Sequence, residues 1–143
     1  MAIITLSDQL QVTALSSLRT EILDDSDSRI GFYQGTVPTD FSALTSYNSR
    51  ISDQLVLMTT DLTDWSSSGT SVVLTTNYTT ATASGVATWF FWYNNDSGFP
   101  ALVGTIGALG SGADLELGNT TINSGARYRV NQLALSLPVP YTY

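Results

Sequence analysis

The segment "ATWFFWYNND" (residues 87–96) contains five consecutive aromatic residues and then turns polar. Alternation along a β-strand would send these side chains to opposite faces, with Trp89, Phe91 and Tyr93 on one face and Phe90 and Trp92 on the other. One face must line the core, and each ring carries ~150–250 Å² of surface. The segment therefore predicts a strand with two dry faces that ends in a polar turn.

The sequence on both sides of this segment predicts further strands. About seven segments show period-two patterns or strand composition between turn signals: 29–35, 54–62, 71–82, 85–95, 101–107, 114–118 and 126–138. The polar stretch 63–71 is predicted to be a loop. This spacing indicates an antiparallel β-sandwich or jelly roll and not βαβ units. In the last segment the apolar parity shifts, and a β-bulge or corner near Asn131–Gln132 would explain the shift.

The N-terminal part of the chain has a different period. Apolar side chains in residues 6–23 recur at i and i+4, which predicts one amphipathic helix. The polar run "DDSDS" (24–28) ends it. We therefore predict a mainly β (α+β) chain with an N-terminal helical segment (1–27), a β-domain (28–138) and an extended C-terminal tail (139–143).

Composition and charge narrow the classes of partner. The chain has 143 residues, a net charge of −7, five arginines and no lysine, so direct nucleic-acid binding is not expected. Arg127 and Arg129 would point the same way on a strand, which indicates a solvated face or local salt bridges, with a phosphate site as the alternative. No apolar run reaches membrane-spanning length, and the N-terminus lacks the basic start of a secretion signal.

The chain contains few groups that could carry out catalysis. Cysteine, histidine and lysine are absent, which removes the usual nucleophile–base pairs. Asp114 and Glu116 share one face of a predicted strand and could form a glycosidase pair, but such acids more often line a wet face. The acidic run at 24–27 does not fit the EF-hand pattern. We predict no catalytic residue, no cofactor and no metal site.

The second aromatic face has three interpretations. It could be covered by the chain itself, for instance by the N-terminal helix. It could be an interface with another subunit or partner. It could also be a stacking platform for sugars, a role that suits Trp and Tyr better than contiguous Phe. If it is an interface, the predicted contact residues are Trp89, Phe90, Phe91, Trp92 and Tyr93, together with Tyr141 and Tyr143 in the tail.

Several segments in the same order resemble a group of small virion proteins of tailed bacteriophages. Members carry elements similar to four stretches of this chain: "GTVP" (35–38), "ASGVATWF" (83–90), "SGADLELGNTTINSG" (111–125) and "VNQLALSLP" (130–138). The resemblance covers roughly residues 5–138, and the order of the motifs is more specific than any one of them. Two departures are the longer aromatic run and the tail "VPYTY" (139–143).

The resemblance implies a non-enzymatic virion component, such as a capsid decoration (cement) protein that stabilises the phage shell. A neck, tail or baseplate component is the close competitor, and a glycan-binding module at the tail tip is the other alternative. Expected partners are other virion proteins, including the major capsid protein or tail and neck proteins, and further copies of this chain. The acidity of the chain would repel packaged DNA, which suits an outer position.

Overall fold

The structure is a computed structural model that describes residues 28–39, 44, 49–59, 66–68, 71–94, 99–130 and 133–136. The predicted N-terminal segment (1–27), including its helix, and the tail (139–143) lie outside these residues. Within the described ranges there is no α-helix, and one short 3-10 turn spans Ile51–Asp53. The prediction of a mainly β chain is confirmed for the part of the chain that the structure describes.

Twelve strands form within the described part, more than the seven predicted. In chain order they are β1 (Ser28–Tyr33), β2 (Gln54–Thr59), β3 (Ser66–Ser68), β4 (Ser71–Leu74), β5 (Thr79–Thr80), β6 (Gly85–Val86), β7 (Trp89–Asn94), β8 (Phe99–Ala108), β9 (Leu115–Leu117), β10 (Thr121–Ile122), β11 (Arg127–Tyr128) and β12 (Leu133–Ser136). The main sheet is curled and has the order β2-β1-β7-β8-β9. The aromatic strand β7 therefore lies at the centre of this sheet. Aromatic residues such as those of β7 favour strands because they pack well on a pleated surface.

The main sheet is mixed, so the predicted antiparallel arrangement is wrong for one of its pairings. Strand β9 pairs with β8 in parallel, with Ile106 opposite Leu115. Parallel neighbours normally need a crossover of a dozen or more residues. Here each strand contributes three paired residues, so the chain returns by only ~10 Å, which the connection 109–114 can span. Because the paired stretch is short, β8 and β9 can be parallel without a long crossover segment between them. A long crossover would have been visible in the sequence, whereas this short connection is not.

Several segments that the sequence predicts as single strands are broken in the structure. The segment 126–138 is split because β11 pairs with β5 whereas β12 pairs with β4. The parity shift within this segment therefore accompanies a change of partner strand, and Asn131–Gln132 lie outside the described residues. The segments 71–82 and 85–95 are split in the same way. The predicted loop 63–71 contains β3, which pairs with β4.

Two groups of buried side chains cover the two faces of the main sheet. The larger group includes Ile30, Phe32, Phe90 and Trp92 with residues from β2, β8, β9 and β10. The smaller group is made by Tyr33, Leu44, Trp89, Phe91 and Tyr93. The predicted alternation of the aromatic strand is therefore confirmed, because its even and odd residues belong to different groups.

Candidate functional site

The five aromatic residues of β7 are buried within this chain. The exposed fractions of Trp89, Phe90, Phe91, Trp92 and Tyr93 lie between 0% and 4%. Strands β1 and β8 flank β7 on its two edges, so its backbone is paired on both sides. The interpretation of a central strand that is dry on both faces is confirmed. Contact of these residues with a partner stays a prediction, and Tyr141 and Tyr143 lie outside the described residues.

Aromatic contacts organise the smaller buried group. Tyr33 lies opposite Trp89 in the register of β1 and β7, and their rings stack at 4.3 Å. Trp89 donates a hydrogen bond from Nε1 to the carbonyl oxygen of Gln34 at 3.1 Å. The guanidinium of Arg50 lies 5.7 Å from the Trp89 ring centroid and forms an ion pair with Asp53. The buried indole N–H of Trp89 thus has an acceptor, as buried polar atoms require.

Tyr33 is one of two buried tyrosines in this cluster. Burial raises the pKa of its hydroxyl above the ordinary value of 10.0, and a hydrogen bond from Gln54 acts in the opposite direction. Gln54 donates that bond from Nε2 to the Tyr33 hydroxyl over 3.2 Å. The hydroxyl therefore stays neutral at physiological pH and serves the packing of the cluster.

The other face of β7 combines large rings with small partners. Trp92 donates a hydrogen bond from Nε1 to the Ser28 hydroxyl at 2.7 Å. Phe90 lies opposite Gly104 of β8, and a Cβ built on that glycine would be 2.5 Å from the phenylalanine ring. Only glycine leaves room for the ring to cover the neighbouring backbone. The Phe90 ring therefore occupies the space that a side chain at position 104 would need.

Asp114 is one of the two acids that the sequence offers as a possible catalytic pair, and it binds the chain's own backbone. Its Oδ2 accepts hydrogen bonds from the Thr105 amide at 2.8 Å and from the Thr105 hydroxyl at 2.9 Å. The Asp114 amide in turn donates to that hydroxyl oxygen over 3.1 Å. The carboxylate thereby joins the loop after β8 to β8 itself.

Glu116 holds the tip of the same loop. Its two carboxylate oxygens accept hydrogen bonds from the amides of Gly110 at 3.0 Å and Gly112 at 2.8 Å. Both glycines have positive φ, 82° and 79°, a backbone conformation that favours glycine. These bonds lower the pKa of Glu116, with the Gly110 amide as the larger cause. Because both oxygens of the Glu116 carboxylate are bound to amides of its own loop, this arrangement suits a structural role.

No metal cluster is found in the described part of the chain. No group of three or more His, Cys, Asp or Glu side chains that could hold an ion occurs there. The acidic run Asp24, Asp25 and Asp27 lies outside the described residues. None of the described residues belongs to a helix with the length and apolar character needed to cross a membrane.

Tyr78, Arg127 and Arg129 form a surface that we call the arginine–tyrosine patch. The two guanidinium carbons lie 5.1 Å and 5.0 Å from the Tyr78 ring centroid, so they are at most 10.1 Å apart. Tyr78 is 56% exposed, and both arginines are exposed. The predicted common orientation of the two arginines is consistent with this geometry. The contribution of Tyr78 was not predicted, because it depends on the pairing of β5 with β11.

Backbone pairing on both sides fixes the position of the arginine–tyrosine patch. Arg127 of β11 lies opposite Thr80 of β5. Beyond the patch, the Thr76 amide donates to the Val130 carbonyl over 3.0 Å, and the Val130 amide donates to the Thr76 hydroxyl over 2.8 Å. The two chain segments that carry the patch are thus joined before and after it. The register could have indicated Tyr78 had the partner of this strand been known.

Exposed apolar side chains lie away from the centre of the sheet. Leu109, at the start of the loop held by Glu116, is 72% exposed. The other large apolar residues with high exposure in the described part are Ile51, Tyr78 and Val86. Single exposed apolar residues are common on soluble proteins, so their exposure alone does not define an interface.

No protein family, curated protein or solved structure matches this chain.

Proposed function

We propose that this chain is a non-enzymatic structural protein of a tailed-bacteriophage virion, in the role of a capsid decoration (cement) protein. It would stabilise the phage shell through contacts with other virion proteins and with further copies of itself. The observation that carries the proposal is the resemblance of four motifs, in order, between residues 35 and 138. A sandwich or jelly-roll topology is part of the same proposal.

Several residues within the four resembling motifs have defined structural roles in this fold, which supports the proposal. Gly35 and Gly125 adopt positive φ of 88° and 85° at turns. Ala87 and Val130 are buried in the main core. Asp114 joins the loop after β8 to Thr105. A motif set that specifies turns, core and loop bonds is what a shared fold requires, since these positions tolerate few other residues.

The position of the apolar area also favours a structural role over a small-molecule site. The large aromatic residues of β7 lie in the core, and exposed residues such as Leu109 lie on loops and short strands around it. Contacts with neighbouring subunits can bury such peripheral residues. At ~25 cal/mol per Å², a few hundred Å² of apolar area per contact stabilises an assembly by several kcal/mol before association costs.

Counting the protein in purified particles tests the proposal. Quantitative mass spectrometry of the virion would compare its copy number with that of the major capsid protein. Hundreds of copies per particle are expected for a decoration protein. Six or twelve copies would assign it to the neck, tail or baseplate instead, and its absence from purified particles would overturn the virion proposal altogether.

A glycan-binding module at a tail tip is the alternative that the exposed Tyr78 ring favours. Sugars stack on accessible aromatic rings, whereas Trp89 and Trp92 are covered in this structure. Titration with a glycan panel, followed by intrinsic fluorescence and by calorimetry, separates the two functions. Saturable binding that is lost in Tyr78→Ala would favour the glycan module. Absence of binding across the panel would favour the structural protein.

A further inference from the structure

The loop between β8 and β9 places two backbone amides on one carboxylate. The amides of Gly110 and Gly112 donate to the two oxygens of Glu116, one to each, at 3.0 Å and 2.8 Å. The amide of Ser111, which lies between them in sequence, donates instead to the Ala108 carbonyl at 3.0 Å. Two donors that are separated by one residue thus converge on a single acceptor group.

The backbone of this loop has the conformation of an anion-binding nest, a concavity lined by amides. Gly110 and Gly112 have positive φ, 82° and 79°, whereas Ser111 between them does not. Alternation between the two signs of φ turns the amides toward a common side, where an anion is bound. All three residues are exposed, so an anion can reach these amides from solvent once the Glu116 carboxylate is removed.

We propose that residues 109–113 form a carboxylate-binding site, and that Glu116 occupies this site as an internal ligand and excludes other carboxylates. The two donors match the two oxygens of a carboxylate. Asp114 adds a negative charge to the same loop, and it repels a phosphate dianion more strongly than a carboxylate. The ligand class is therefore a small organic carboxylate.

Glu116 excludes free carboxylates because it belongs to the same chain as the site. An intramolecular group has a high effective concentration at its own site. Its binding also costs none of the translational and rotational freedom that a separate molecule loses. A carboxylate in dilute solution therefore does not displace Glu116. The contact is autoinhibitory, since the site is formed by the fold and closed by a side chain of the same fold.

The test uses only purified protein and does not depend on the proposed function. Glu116→Ala removes a CH₂–COO⁻ group, and acetate supplies the same group from solution. Acetate is titrated against ¹⁵N-labelled wild type and Glu116→Ala at constant ionic strength, with chloride as the balancing anion. Acetamide is the neutral control, and inorganic phosphate tests for a general anion site. The amide signals of Gly110 and Gly112 report on the site, and that of Gly125, which bonds to Ala81, is the internal reference.

Saturable movement of the Gly110 and Gly112 signals with acetate is expected in Glu116→Ala and not in wild type. Half-saturation should lie at about 100 mM, because two exposed hydrogen bonds give a weak affinity. Acetate should also slow hydrogen exchange at both amides by about two-fold at half-saturation, because half of the molecules then have both amides bonded.

Three outcomes would overturn the proposal. The first is the absence of saturable movement in Glu116→Ala, or an equal response of the Gly125 signal or to acetamide. The second is an equal response of wild type, which would mean that Glu116 does not close the site. The third is equal or tighter binding of inorganic phosphate, which would mean that the loop is a general anion site and not a carboxylate site.

Asp114→Ala is the matched control for loss of charge. It removes the other carboxylate of the loop, which binds Thr105 and not the glycine amides. Glu116 still occupies the site in this variant, so the Gly110 and Gly112 signals should not respond to acetate. A response equal to that of Glu116→Ala would be an effect of charge alone and would overturn the proposal.

Glu116→Gln keeps the length of the side chain and one acceptor oxygen but removes the charge. Acetate should still bind in this variant, and more weakly than in Glu116→Ala, because it must displace the glutamine oxygen. Circular dichroism checks that each variant folds, and Glu116→Gln decides the outcome if Glu116→Ala does not fold. Absence of acetate binding in the folded variants would overturn the proposal.

Discussion

The centre of the main sheet and its corner at residues 104–116 are stabilised by different forces. At the centre, β1 and β7 bury aromatic side chains on both faces. At the corner, Asp114 and Glu116 bind backbone and hydroxyl donors at the surface. Burial of apolar area contributes a large free energy that changes little with small shifts in geometry. Exposed hydrogen bonds contribute a small free energy that depends strongly on direction. The two regions should therefore respond very differently to substitution and to pH.

Truncation at the centre should have the largest effect on stability. Trp92 is buried and its Nε1 bonds to Ser28, so Trp92→Ala should lower the free energy of unfolding by about 3–5 kcal/mol. Urea denaturation followed by circular dichroism measures this loss. Leu109→Ala is the matched truncation at the exposed corner and should change stability by less than about 0.5 kcal/mol. Similar losses in the two variants would contradict the comparison.

Adding one methyl group at Gly104 should have the next largest effect. A Cβ there would be 2.5 Å from the Phe90 ring, so Gly104→Ala should destabilise the protein by about 1–3 kcal/mol. Gly118→Ala is the control, because its Cβ would meet nothing within 4 Å and its φ is not positive. That variant should be neutral or slightly stabilised. Thermal melts of the two variants side by side would show whether the ring limits the space.

Removing the Tyr33 hydroxyl should have a moderate, pH-dependent effect. At neutral pH, Tyr33→Phe loses the bond from Gln54 and should lower stability by about 0.5–1.5 kcal/mol. Because burial raises the pKa of Tyr33 above 10.0, its neutral form stabilises the fold below that pH. The contribution is lost as pH rises through the folded-state value. The gap between wild type and variant should therefore narrow above about pH 10, as measured by urea titration. A constant gap would count against burial as the cause.

Neutralising Glu116 should have the smallest effect on global stability and a clear local one. Its pKa is lowered from 4.5, so its contribution is present above that pH and is lost as pH falls through the lowered value. In Glu116→Gln the Gly110 and Gly112 amides should exchange hydrogen faster at pH 7. The wild-type and variant rates should converge at low pH, after correction for intrinsic exchange. The Gly125 amide, which bonds to Ala81, is the internal control. Unchanged exchange at Gly110 and Gly112 would contradict the role of Glu116.

The sequence predicts the centre of the sheet better than its corner. Five consecutive aromatic residues can alternate between two dry faces only in a central strand, so burial of Trp89 and Phe90 follows from local pattern. Period two likewise indicates β1 and β2. The parallel pairing of β9 was not predictable, because it depends on a six-residue return and on where Asp114 finds its donors. The hydrogen-bond partners of short polar side chains cannot be predicted from the sequence, because they follow no periodic pattern.

The arginine–tyrosine patch was also only partly predictable from the sequence. Spacing predicts that Arg127 and Arg129 point the same way, and both do contact Tyr78, although Arg129 lies just beyond the end of β11. The ring between them comes from Tyr78, which is distant in sequence and reaches the arginines through β5. Cross-strand neighbours depend on which strands pair, and the breaks in segments 71–82 and 126–138 concealed that pairing. A predicted register would have been enough to find Tyr78.

The close approach of Phe90 to Gly104 links the two positions in any sequence that keeps this fold. Position 104 can accept a side chain only if the residue at position 90 becomes smaller, so the two should change together and rarely singly. A library that randomises both positions would recover pairs of roughly constant summed volume, such as leucine with alanine. Sequence changes at this site would therefore move side-chain volume from β7 to β8 or back, while the pairing of the two strands stays the same.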